Sequence, residues 1–516
     1  MPTGSRLPTR NSHSQGRPTP SLPLTGSWQL ILPETDLALL PAPLSALIDL
    51  LAQALVRDLN EHVLVIRLAP ARGLAPQRRQ PLRAGRDGVW RCSVAVDAGE
   101  PGELLPAVQH AVAAYIDTIS AANVSAALGS REESAQIFLD PGEATSVLPL
   151  PGIVHALGPL VTRLLFLTRD GDTAPPAPLP EAYGTPILHS ILLGGETPPR
   201  GVREDAVRLR FGRERELAAL RSLPAEGQLG RLSPHAQANF ARWARALTER
   251  RVGVALGGGG AYGYAHVELL RRLTEEESIP IDAISGASFG ALVGAYFCAK
   301  GRAGLEQIVD DWPRIQRATR MAFVSSSALA HQIDRSLGRI LLEELEVPLL
   351  AVTTNLLDGS AFVPTAGSIG EAVRMSGSFP GLFAPTTTAE GHFVDGAVIN
   401  NVPDTLFLKG FGLVIASNIV PRPPRKIAAR IPGGGIRRRL HEFNPWQRLR
   451  DAIHSCFLLM YSAGDHGFAD VAFSPNLMGY RFWDFDKADA IMRDAGPAAE
   501  LAAEQARQMW RQLCRT

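Results

Sequence analysis

Four consecutive glycines at positions 257–260 constrain the fold of this chain more than any other feature of its 516 residues. They follow an apolar run at residues 252–256 and precede a segment with helical periodicity at residues 265–273. Because glycine has no Cβ, the backbone can turn sharply between these two elements. The first amides of the following helix have no intrahelical acceptor. The sequence therefore predicts a strand, a tight turn and a helix, with backbone N–H groups in the turn that can hold an anion.

An anion in this turn is compatible with two different chemistries. In an acyl hydrolase it is the oxyanion of a tetrahedral intermediate. In a dinucleotide-binding protein it is a pyrophosphate, and Gly258, Gly260 and Gly263 do read as G-x-G-x-x-G. Asp282 lies at a plausible distance for the ribose-binding carboxylate, but it precedes an apolar run instead of ending the second strand. A purely structural turn is the third interpretation. The candidate oxyanion donors are the amides of Gly257, Gly258, Gly259 and Gly260.

Ser288 is the candidate nucleophile because it lies between two glycines in Gly286-Ala287-Ser288-Phe289-Gly290. The flanking glycines permit the strained turn from strand to helix that presents a serine hydroxyl at the edge of a sheet. A lone G-x-S-x-G occurs by chance in roughly one chain in four of this glycine content, so its context matters. Here a short apolar strand precedes the motif, an apolar helix follows it, and the glycine run lies one β/α unit upstream.

Asp395 is the candidate base because an apolar approach, Phe393-Val394, ends in Asp395-Gly396. An Asp-Gly pair is also an everyday turn, so this motif is weak by itself. The carboxylate could accept the serine proton directly or orient a histidine. His266 is expected to be packed in the core, and His392 lies on the strand that leads to the aspartate. A Ser, Asp, His order nevertheless stays open through His441, His454 and His466.

Taken in this order, the three motifs resemble the patatin-like phospholipase family, especially its bacterial and neuropathy-target-esterase-like branch. The resemblance covers roughly residues 251–420, and smaller matches at residues 352–359 and 373–380 agree with it. It implies a three-layer α/β/α hydrolase fold, a phospholipid or lysophospholipid substrate, and a Ser-Asp dyad in which Asp395 acts as base towards Ser288. One departure is Tyr262, where relatives usually place Arg or Lys, and this leaves the substrate preference open.

Upstream of the glycine run, short apolar runs alternate with helical patterns, as is typical of parallel β/α units in an open sheet. The apolar runs lie at residues 28–32, 62–68, 92–96, 136–139, 162–167 and 187–193, and the clearest helical patterns at residues 42–59 and 104–122. Since no glycine-rich phosphate loop occurs there, we expect a smaller, Rossmann-like α/β domain with a structural or regulatory role. The predicted divisions are a disordered tail at 1–25, this α/β domain at 26–199, a linker and leading helix at 200–250, the hydrolase domain at 251–480 and a C-terminal helical segment at 481–516.

The charges are nearly balanced, with 52 basic and 51 acidic residues, which disfavours a nucleic-acid partner. One exception is residues 422–450, here called the basic stretch, where nine basic residues accompany a single acid, Glu442. We expect the basic stretch to dock on an anionic membrane surface, with a solvated loop as the alternative interpretation. Its basic residues are Arg422, Arg425, Lys426, Arg430, Arg437, Arg438, Arg439, Arg448 and Arg450.

Cellular location and cofactor use follow from what the sequence lacks. The four cysteines show no spacing typical of a zinc site or a disulfide framework, so we expect a reducing compartment, no metal and no other cofactor. The residues before Glu34 contain no continuous apolar core, so no secretory signal is expected. The sequence therefore predicts a cytoplasmic, peripherally membrane-associated serine lipid acyl hydrolase. Two alternatives are a dinucleotide-binding oxidoreductase and a catalytically silent lipid-binding scaffold.

Overall fold

A computed structural model of the chain describes residues 26–33, 43–70, 80–96, 104–123, 135–141, 145, 150–157, 160–168, 187–193, 206–210, 218, 220–223, 228–275, 279–322, 327–421 and 467–515. The predicted tail, the basic stretch and the three histidines His441, His454 and His466 lie outside the described residues. Among the helices described, none combines the length and the apolar character needed to cross a bilayer.

The first unit is built on a largely parallel sheet with the strand order β3-β4-β2-β5-β1-β6-β7-β8. Neighbouring strands run parallel except for the pair β3 and β4. The strands are β1 Gly26–Pro33, β2 His62–Pro70, β3 Gln80–Ala84, β4 Trp90–Val96, β5 Ala135–Asp140, β6 Arg163–Thr168, β7 Ile187–Leu193 and β8 Val207–Arg210. The six strands predicted from apolar runs are all present. Strands β3 and β8 escape the sequence analysis because both are short and carry arginines that interrupt the apolar pattern.

Helices cover both faces of this first sheet. Along β2, Val63 and Val65 pack in the core that contains α1, whereas Leu64 and Ile66 pack in the core that contains α2 and α3. Burial on both faces explains why β2 is a continuous apolar run instead of an alternating one. The predicted Rossmann-like α/β architecture is thereby confirmed. These helices are α1 Leu44–Leu59, α2 Leu104–Asn123 and α3 Leu150–Leu157, and α4 Pro234–Leu247 joins α1 on the same face.

The second unit contains a five-stranded parallel sheet in the order β11-β10-β9-β16-β17 and a small antiparallel sheet in the order β13-β12-β15-β14. Its strands are β9 Arg251–Leu256, β10 Ala283–Gly286, β11 Leu349–Ala351, β12 Thr353–Asn355, β13 Ala361–Phe362, β14 Thr386–Thr387, β15 His392–Asp395, β16 Phe411–Ser417 and β17 Val471–Phe473. Its helices are α5 Tyr264–Leu273, α6 Phe289–Lys300, α7 Arg302–Ala322, α8 Ser327–Ser336, α9 Ile369–Ser376 and α10 Ala488–Arg515.

Residues on β9 show how this sheet is covered on both faces. Val254 and Leu256 pack in the large core formed with the helices, and Ala255 faces a smaller core with Phe407. The predicted three-layer fold is confirmed. Helix α10 closes the larger core by lying along α5.

The two units are joined by an arginine of β8. The buried Arg208 guanidinium donates hydrogen bonds to the carbonyl oxygens of Leu342 and Leu345, at 2.7 and 3.2 Å. Trp510 of α10 packs against the cores of both units. The segment predicted as a linker therefore contains a strand of the first sheet that also contacts the second unit.

Candidate active site

The glycine run and Ser288 lie at the same edge of the second sheet. Strand β10 pairs in parallel with β9 so that Gly286 lies opposite Leu256. The carboxyl ends of both strands therefore meet at one edge, where open α/β sheets commonly bind their ligands. Parallel pairing thus brings together two motifs that are about thirty residues apart in the sequence.

Ser288 adopts a backbone conformation that non-glycine residues rarely occupy, with φ 53° and ψ −120°. Such a conformation costs on the order of 1–3 kcal/mol and persists only when its surroundings hold it in place. The amide of Ser288 donates to Oγ of Ser376 at 3.0 Å, and this hydroxyl in turn donates to the carbonyl oxygen of Val352 at 2.6 Å. Ser376 is fully buried. Through these two hydrogen bonds it links the nucleophile turn to α9 and to the residue that follows β11.

The glycines around Ser288 are required by close packing. A Cβ at Gly286 would lie 2.6 Å from the amide nitrogen of Ala291, and one at Gly290 would lie 2.2 Å from the carbonyl oxygen of Leu256. Both distances are far below van der Waals contact, so a side chain at either position would force the turn open. The sequence therefore has G-x-S-x-G here because α6 must begin immediately beside the end of β9.

Asp395 ends β15 and is fully buried. Its Oδ1 accepts a hydrogen bond from the amide of Ala397 at 2.9 Å. Burial raises the pKa of this carboxyl to about 7, while the side chain of Ser288 and the Ala397 amide act in the opposite direction. Oδ2 has no partner with regular hydrogen-bond geometry among the described residues, so the approach of Ser288 is looser than a formed hydrogen bond.

The antiparallel sheet explains how Asp395 reaches the nucleophile. Thr353 on β12 lies opposite Asp395 on β15, and β12 follows β11 directly in the sequence. The chain behind Asp395 also packs tightly, because a Cβ at Gly396 would lie 2.1 Å from the carbonyl oxygen of Val352. Val352 is also the residue that holds Ser376. Both candidate catalytic side chains are therefore held against the same backbone segment.

Two amides of the glycine loop are already occupied. Gly257 donates to the carbonyl oxygen of Ser417 at 2.9 Å. Gly258 donates to Asn401, whose carbonyl oxygen and Oδ1 lie at 3.2 and 3.0 Å. A Cβ at Gly258 would lie 3.1 Å from Cβ of Ser288, so this glycine lets the loop approach the nucleophile. Gly257 and Gly258 therefore shape the loop, and their N–H groups point to protein acceptors.

The next two amides of the loop remain available. Among the described residues, the N–H groups of Gly259 and Gly260 have no protein acceptor, whereas Ala261 donates to the carbonyl oxygen of Phe482 at 2.7 Å. Gly260 has a φ of 59°, and a Cβ there would lie 2.4 Å from the Phe482 oxygen. Both glycines line the same cavity as Ser288. The two unpaired N–H groups therefore belong to residues that line the cavity beside Ser288.

Two histidines near the candidate site have different roles. His266 is fully buried, and its Nε2–H donates to the carbonyl oxygen of Gly257 at 2.7 Å while Nδ1 accepts from the Ser417 hydroxyl. Burial lowers the pKa of His266 to about 4, so the ring is neutral and serves as a strut beneath the glycine loop. His392 is exposed and contacts Thr387.

An apolar cavity of about 280 Å³ opens beside Ser288. Its walls come from α6, α7, α8, α9 and the segment before α10, and its size and lining suit a hydrocarbon chain. None of the side chains that line it is charged. The lining residues are Gly259, Gly260, Ser288, Phe289, Leu292, Trp312, Ile315, Gln316, Leu329, Ile333, Val373, Gly377, Phe379, Leu382, Phe383, Phe482 and Phe485.

Asp282 lies far from the position that a ribose-binding carboxylate needs. It precedes β10 and therefore lies at the amino end of the strand, whereas the glycine loop follows the carboxyl end of β9. Its carboxylate is buried, accepts two hydrogen bonds from Nε and one Nη of Arg245, and accepts another from the amide of Val252. Asp282 is thus a structural ion-pair partner. No group of three or more potential metal ligands occurs within the described residues.

Comparison with known proteins identifies the region that contains these motifs. The family model of the patatin-like phospholipases matches residues 254–408. Lysophospholipase NTE1 of Mycosarcoma maydis is 29% identical over 289 residues, which is 52% of this chain and 15% of that protein. Neuropathy target esterase sws of Drosophila melanogaster is 30% identical over 200 residues, which is 36% of this chain and 14% of that protein.

Solved structures with detectable similarity include VipD from Legionella pneumophila and the type III effector protein ExoU. Both are 13% identical to this chain and cover 50% of it, with TM-scores of 0.28 and 0.25. The matches cover 67% of the VipD chain and 54% of the ExoU chain. This chain spans only a small part of the curated relatives, no more than 15% of either one described above.

Proposed function

Because this chain carries a domain of the patatin-like phospholipase family at residues 254–408, we propose that it hydrolyses acyl esters of lipids with Ser288 as nucleophile. The observation that supports this most strongly is the position of Ser288 in a strained turn that is next to the buried carboxyl of Asp395 and lines one cavity with Gly259 and Gly260, whose amides are unpaired among the described residues. A serine held in this way has a base on one side and oxyanion donors on the other.

The proposed reaction uses the dyad Ser288 and Asp395 without a histidine. Oγ of Ser288 attacks the ester carbonyl carbon while Asp395 takes the hydroxyl proton. The carbonyl oxygen becomes an oxyanion and accepts hydrogen bonds from the amides of Gly259 and Gly260. Collapse of this intermediate expels the alcohol, which receives the proton from Asp395, and leaves an acyl-serine. Water then attacks the carbonyl carbon of the acyl-serine while Asp395 takes its proton, and collapse releases the fatty acid as Oγ of Ser288 receives that proton from Asp395.

The substrate we propose is a phospholipid or a lysophospholipid. The uncharged cavity beside Ser288 suits an acyl chain, and one relative is named a lysophospholipase. The mechanism uses protein groups and water alone, so we propose no cofactor. We further propose a cytoplasmic location with peripheral membrane attachment through the basic stretch. The division of the chain into domains at 26–199, 200–250, 251–480 and 481–516 stays a prediction.

The oxidoreductase alternative loses its main support in the structure. A dinucleotide site needs a carboxylate near the glycine loop for the ribose, and Asp282 is instead buried against Arg245 at the other end of the strand. Ser288, in the turn after β10, also lies beside this loop, where the pyrophosphate would have to bind. The catalytically silent scaffold is the remaining alternative, and serine-directed chemistry distinguishes it from the hydrolase.

Labelling with a fluorophosphonate, followed by localisation of the modified residue, tests the proposed nucleophile. We expect Ser288 to be modified, and Ser288→Ala to lose both labelling and ester hydrolysis. Ser360→Ala removes an exposed hydroxyl that donates to Asp358 and provides the matched control, which should behave as wild type. If folded Ser288→Ala protein keeps more than about a tenth of wild-type activity, Ser288 is not the nucleophile. Failure of the wild-type protein to react with any such probe would favour the scaffold.

A further inference from the structure

Residues 478–487, here called the lip, connect β17 to α10 and cross in front of the glycine loop. The carbonyl oxygen of Phe482 accepts a hydrogen bond from the amide of Ala261 at 2.7 Å. The hydroxyl of Tyr262 donates to the carbonyl oxygen of Tyr480 at 2.9 Å. Tyr262 occupies the position where relatives of the family usually place a basic residue. The lip is therefore fixed to the candidate oxyanion loop by two hydrogen bonds.

Side chains of the lip alternate between the cavity and the surface. Phe482 and Phe485 line the cavity beside Ser288, and Phe485 stacks on Trp312 with ring centroids 4.4 Å apart. On the outer side, Trp483 is 54% exposed and Met478 is 56% exposed. Large apolar side chains are therefore present on both faces of the lip.

The outer face continues directly into the wall of the cavity. The rings of Trp483 and Phe482 are in contact, with centroids 4.5 Å apart, and the guanidinium of Arg481 lies 5.8 Å from the Trp483 ring. Across the cavity, Leu382 and Phe383 are half-buried and also line it. The exposed tryptophan thus contacts one apolar wall of the cavity, and Leu382 and Phe383 belong to another.

The charges of the lip balance one another. Arg481 and Lys487 contribute two positive charges, and Asp484 and Asp486 contribute two negative charges. Lys487 and Asp484 form an ion pair with each other at 2.8 Å. A surface with this balance has no net attraction to anionic head groups, so apolar and aromatic contacts must dominate whatever it binds.

We propose that the lip docks the protein on the head-group region of a zwitterionic phospholipid bilayer, with Trp483 and Met478 entering the interface. Tryptophan prefers this region because its ring is apolar and its N–H is polar. Docking at the opening allows an acyl chain to pass from the bilayer into the cavity without crossing water. This inference rests on the proposed lipid acyl hydrolase activity and identifies the surface that meets the substrate.

Binding is tested on full-length Ser288→Ala protein, so that no lipid is hydrolysed, by co-sedimentation with phosphatidylcholine vesicles. Adding Trp483→Ala should weaken binding about tenfold or more, because an interfacial aromatic anchor is lost. Phe468→Ala is the matched control, since Phe468 is 56% exposed but precedes β17 and so lies at the opposite edge of the sheet. Binding should also stay nearly constant when salt is added, because the lip carries balanced charges.

Active protein supplies an independent readout. Trp483→Ala should lower the ratio of vesicle-lipid hydrolysis to soluble short-chain ester hydrolysis about tenfold, and Phe468→Ala should leave this ratio at the wild-type value. Thermal unfolding of Trp483→Ala and of a second variant, Trp483→Lys, confirms that both are folded. Equal vesicle binding by Trp483→Ala and Phe468→Ala, or binding abolished by salt, would overturn the proposal. Loss of the proposed function looks different, because Ser288 would resist labelling while vesicle binding by the lip persisted.

Discussion

At the scale of single residues, the carboxyl of Asp395 experiences opposing influences. Complete burial favours its neutral form and raises its pKa to about 7, while the Ser288 side chain and the Ala397 amide favour its charged form. A base with a pKa near the working pH combines a usable ionised fraction with enough basicity to take a proton. In the proposed mechanism, burial therefore brings the pKa of Asp395 into the range that a base needs, and the Ser288 side chain and the Ala397 amide keep the shift moderate.

The pH profile tests Asp395 as the base. Because a protonated carboxyl cannot accept the serine proton, activity should rise as pH increases through about 7 and then level off. Asp395→Asn should lower kcat roughly a thousandfold or more, as removal of a member of a catalytic unit commonly does. Both effects are measured by steady-state kinetics from about pH 5 to about pH 9, which is roughly two units on either side of the raised pKa.

Histidine variants are the control for Asp395. His392, His441, His454 and His466 should each tolerate Ala with less than about a tenfold loss of activity. If one of them loses activity as completely as Asp395→Asn, the protein uses a triad and the dyad is wrong.

Asp395→Asn should also unfold at a higher temperature than wild type at pH 8. Burial raises the pKa of Asp395 from the ordinary value of 3.8 to about 7 in the folded protein. The wild-type protein therefore loses stability as pH rises between these two values, and the variant, which has no carboxyl to ionise, does not.

At the scale of secondary-structure elements, helix α9 holds the nucleophile turn. The turn between β10 and α6 is strained at Ser288. The hydroxyl of Ser376, at the end of α9, accepts a hydrogen bond from the amide of Ser288. Ser376 also donates to Val352, which lies between β11 and β12. Three elements that are far apart in the sequence therefore meet at one buried hydroxyl, and the geometry of the candidate site depends on their packing.

Ser376→Ala tests this role of α9. The substitution leaves the Ser288 amide and the Val352 carbonyl without a partner, so we expect a loss of about 1–3 kcal/mol in the free energy of unfolding. Relaxation of the turn should lower kcat about tenfold or more and change KM little, because the cavity is intact. Ser378→Ala is the control, since its hydroxyl contacts Arg374 and Thr386 instead. Equal kcat values for the two variants would contradict the positioning role.

At the scale of the whole molecule, the first unit is attached to the second through buried polar contacts. Arg208 is almost completely buried, and burial lowers its pKa to about 10. Its hydrogen bonds to Leu342 and Leu345 satisfy two carbonyl groups of the second unit. Removing one partner of such a contact destabilises the folded protein, because the buried group that remains has neither water nor a hydrogen-bond partner.

Arg208→Ala should therefore weaken the joint between the units. Two carbonyl groups lose their donor, and we expect the free energy of unfolding to fall by roughly 1–3 kcal/mol or more. Urea denaturation, followed separately by circular dichroism and by tryptophan fluorescence, measures the change. Arg57→Ala is the control because that exposed side chain pairs with Asp58 and Gln237 of the first unit, and surface ion pairs contribute little. An effect of Arg57→Ala as large as that of Arg208→Ala would disprove the proposed importance of Arg208.

The basic stretch makes a separate prediction about membrane binding. Reversing Arg437, Arg438 and Arg439 to Glu should weaken binding to anionic vesicles and leave hydrolysis of a soluble short-chain ester nearly unchanged. Added salt should have the same effect, because exposed charges are screened within about 10 Å at 0.1 M ionic strength. If neither salt nor mutation alters the affinity for anionic vesicles, the basic stretch is a solvated loop.

Local patterns in the sequence were sufficient to predict the β/α units and to identify Ser288 and Asp395 as the two main candidate catalytic residues. Periodicity and glycine spacing predicted β9, the glycine loop, β10, the turn at Ser288 and α6, since each depends on neighbours within a few residues. The six apolar runs of the first unit became strands for the same reason. The patatin-like resemblance then placed Asp395 together with Ser288, which spacing alone left undecided between a base and an everyday turn.

Only the tertiary structure determined which groups meet. The order of the strands brings Ser376 under Ser288, places His266 beneath Gly257 and takes Asp282 to the opposite end of β10. The first two glycine amides donate hydrogen bonds to distant acceptors, whereas the next two have no acceptor among the described residues, a distinction absent from a run of identical residues. These outcomes depend on contacts between residues a hundred or more positions apart in several cases. Sheet register and burial set such contacts, and no local pattern encodes either one.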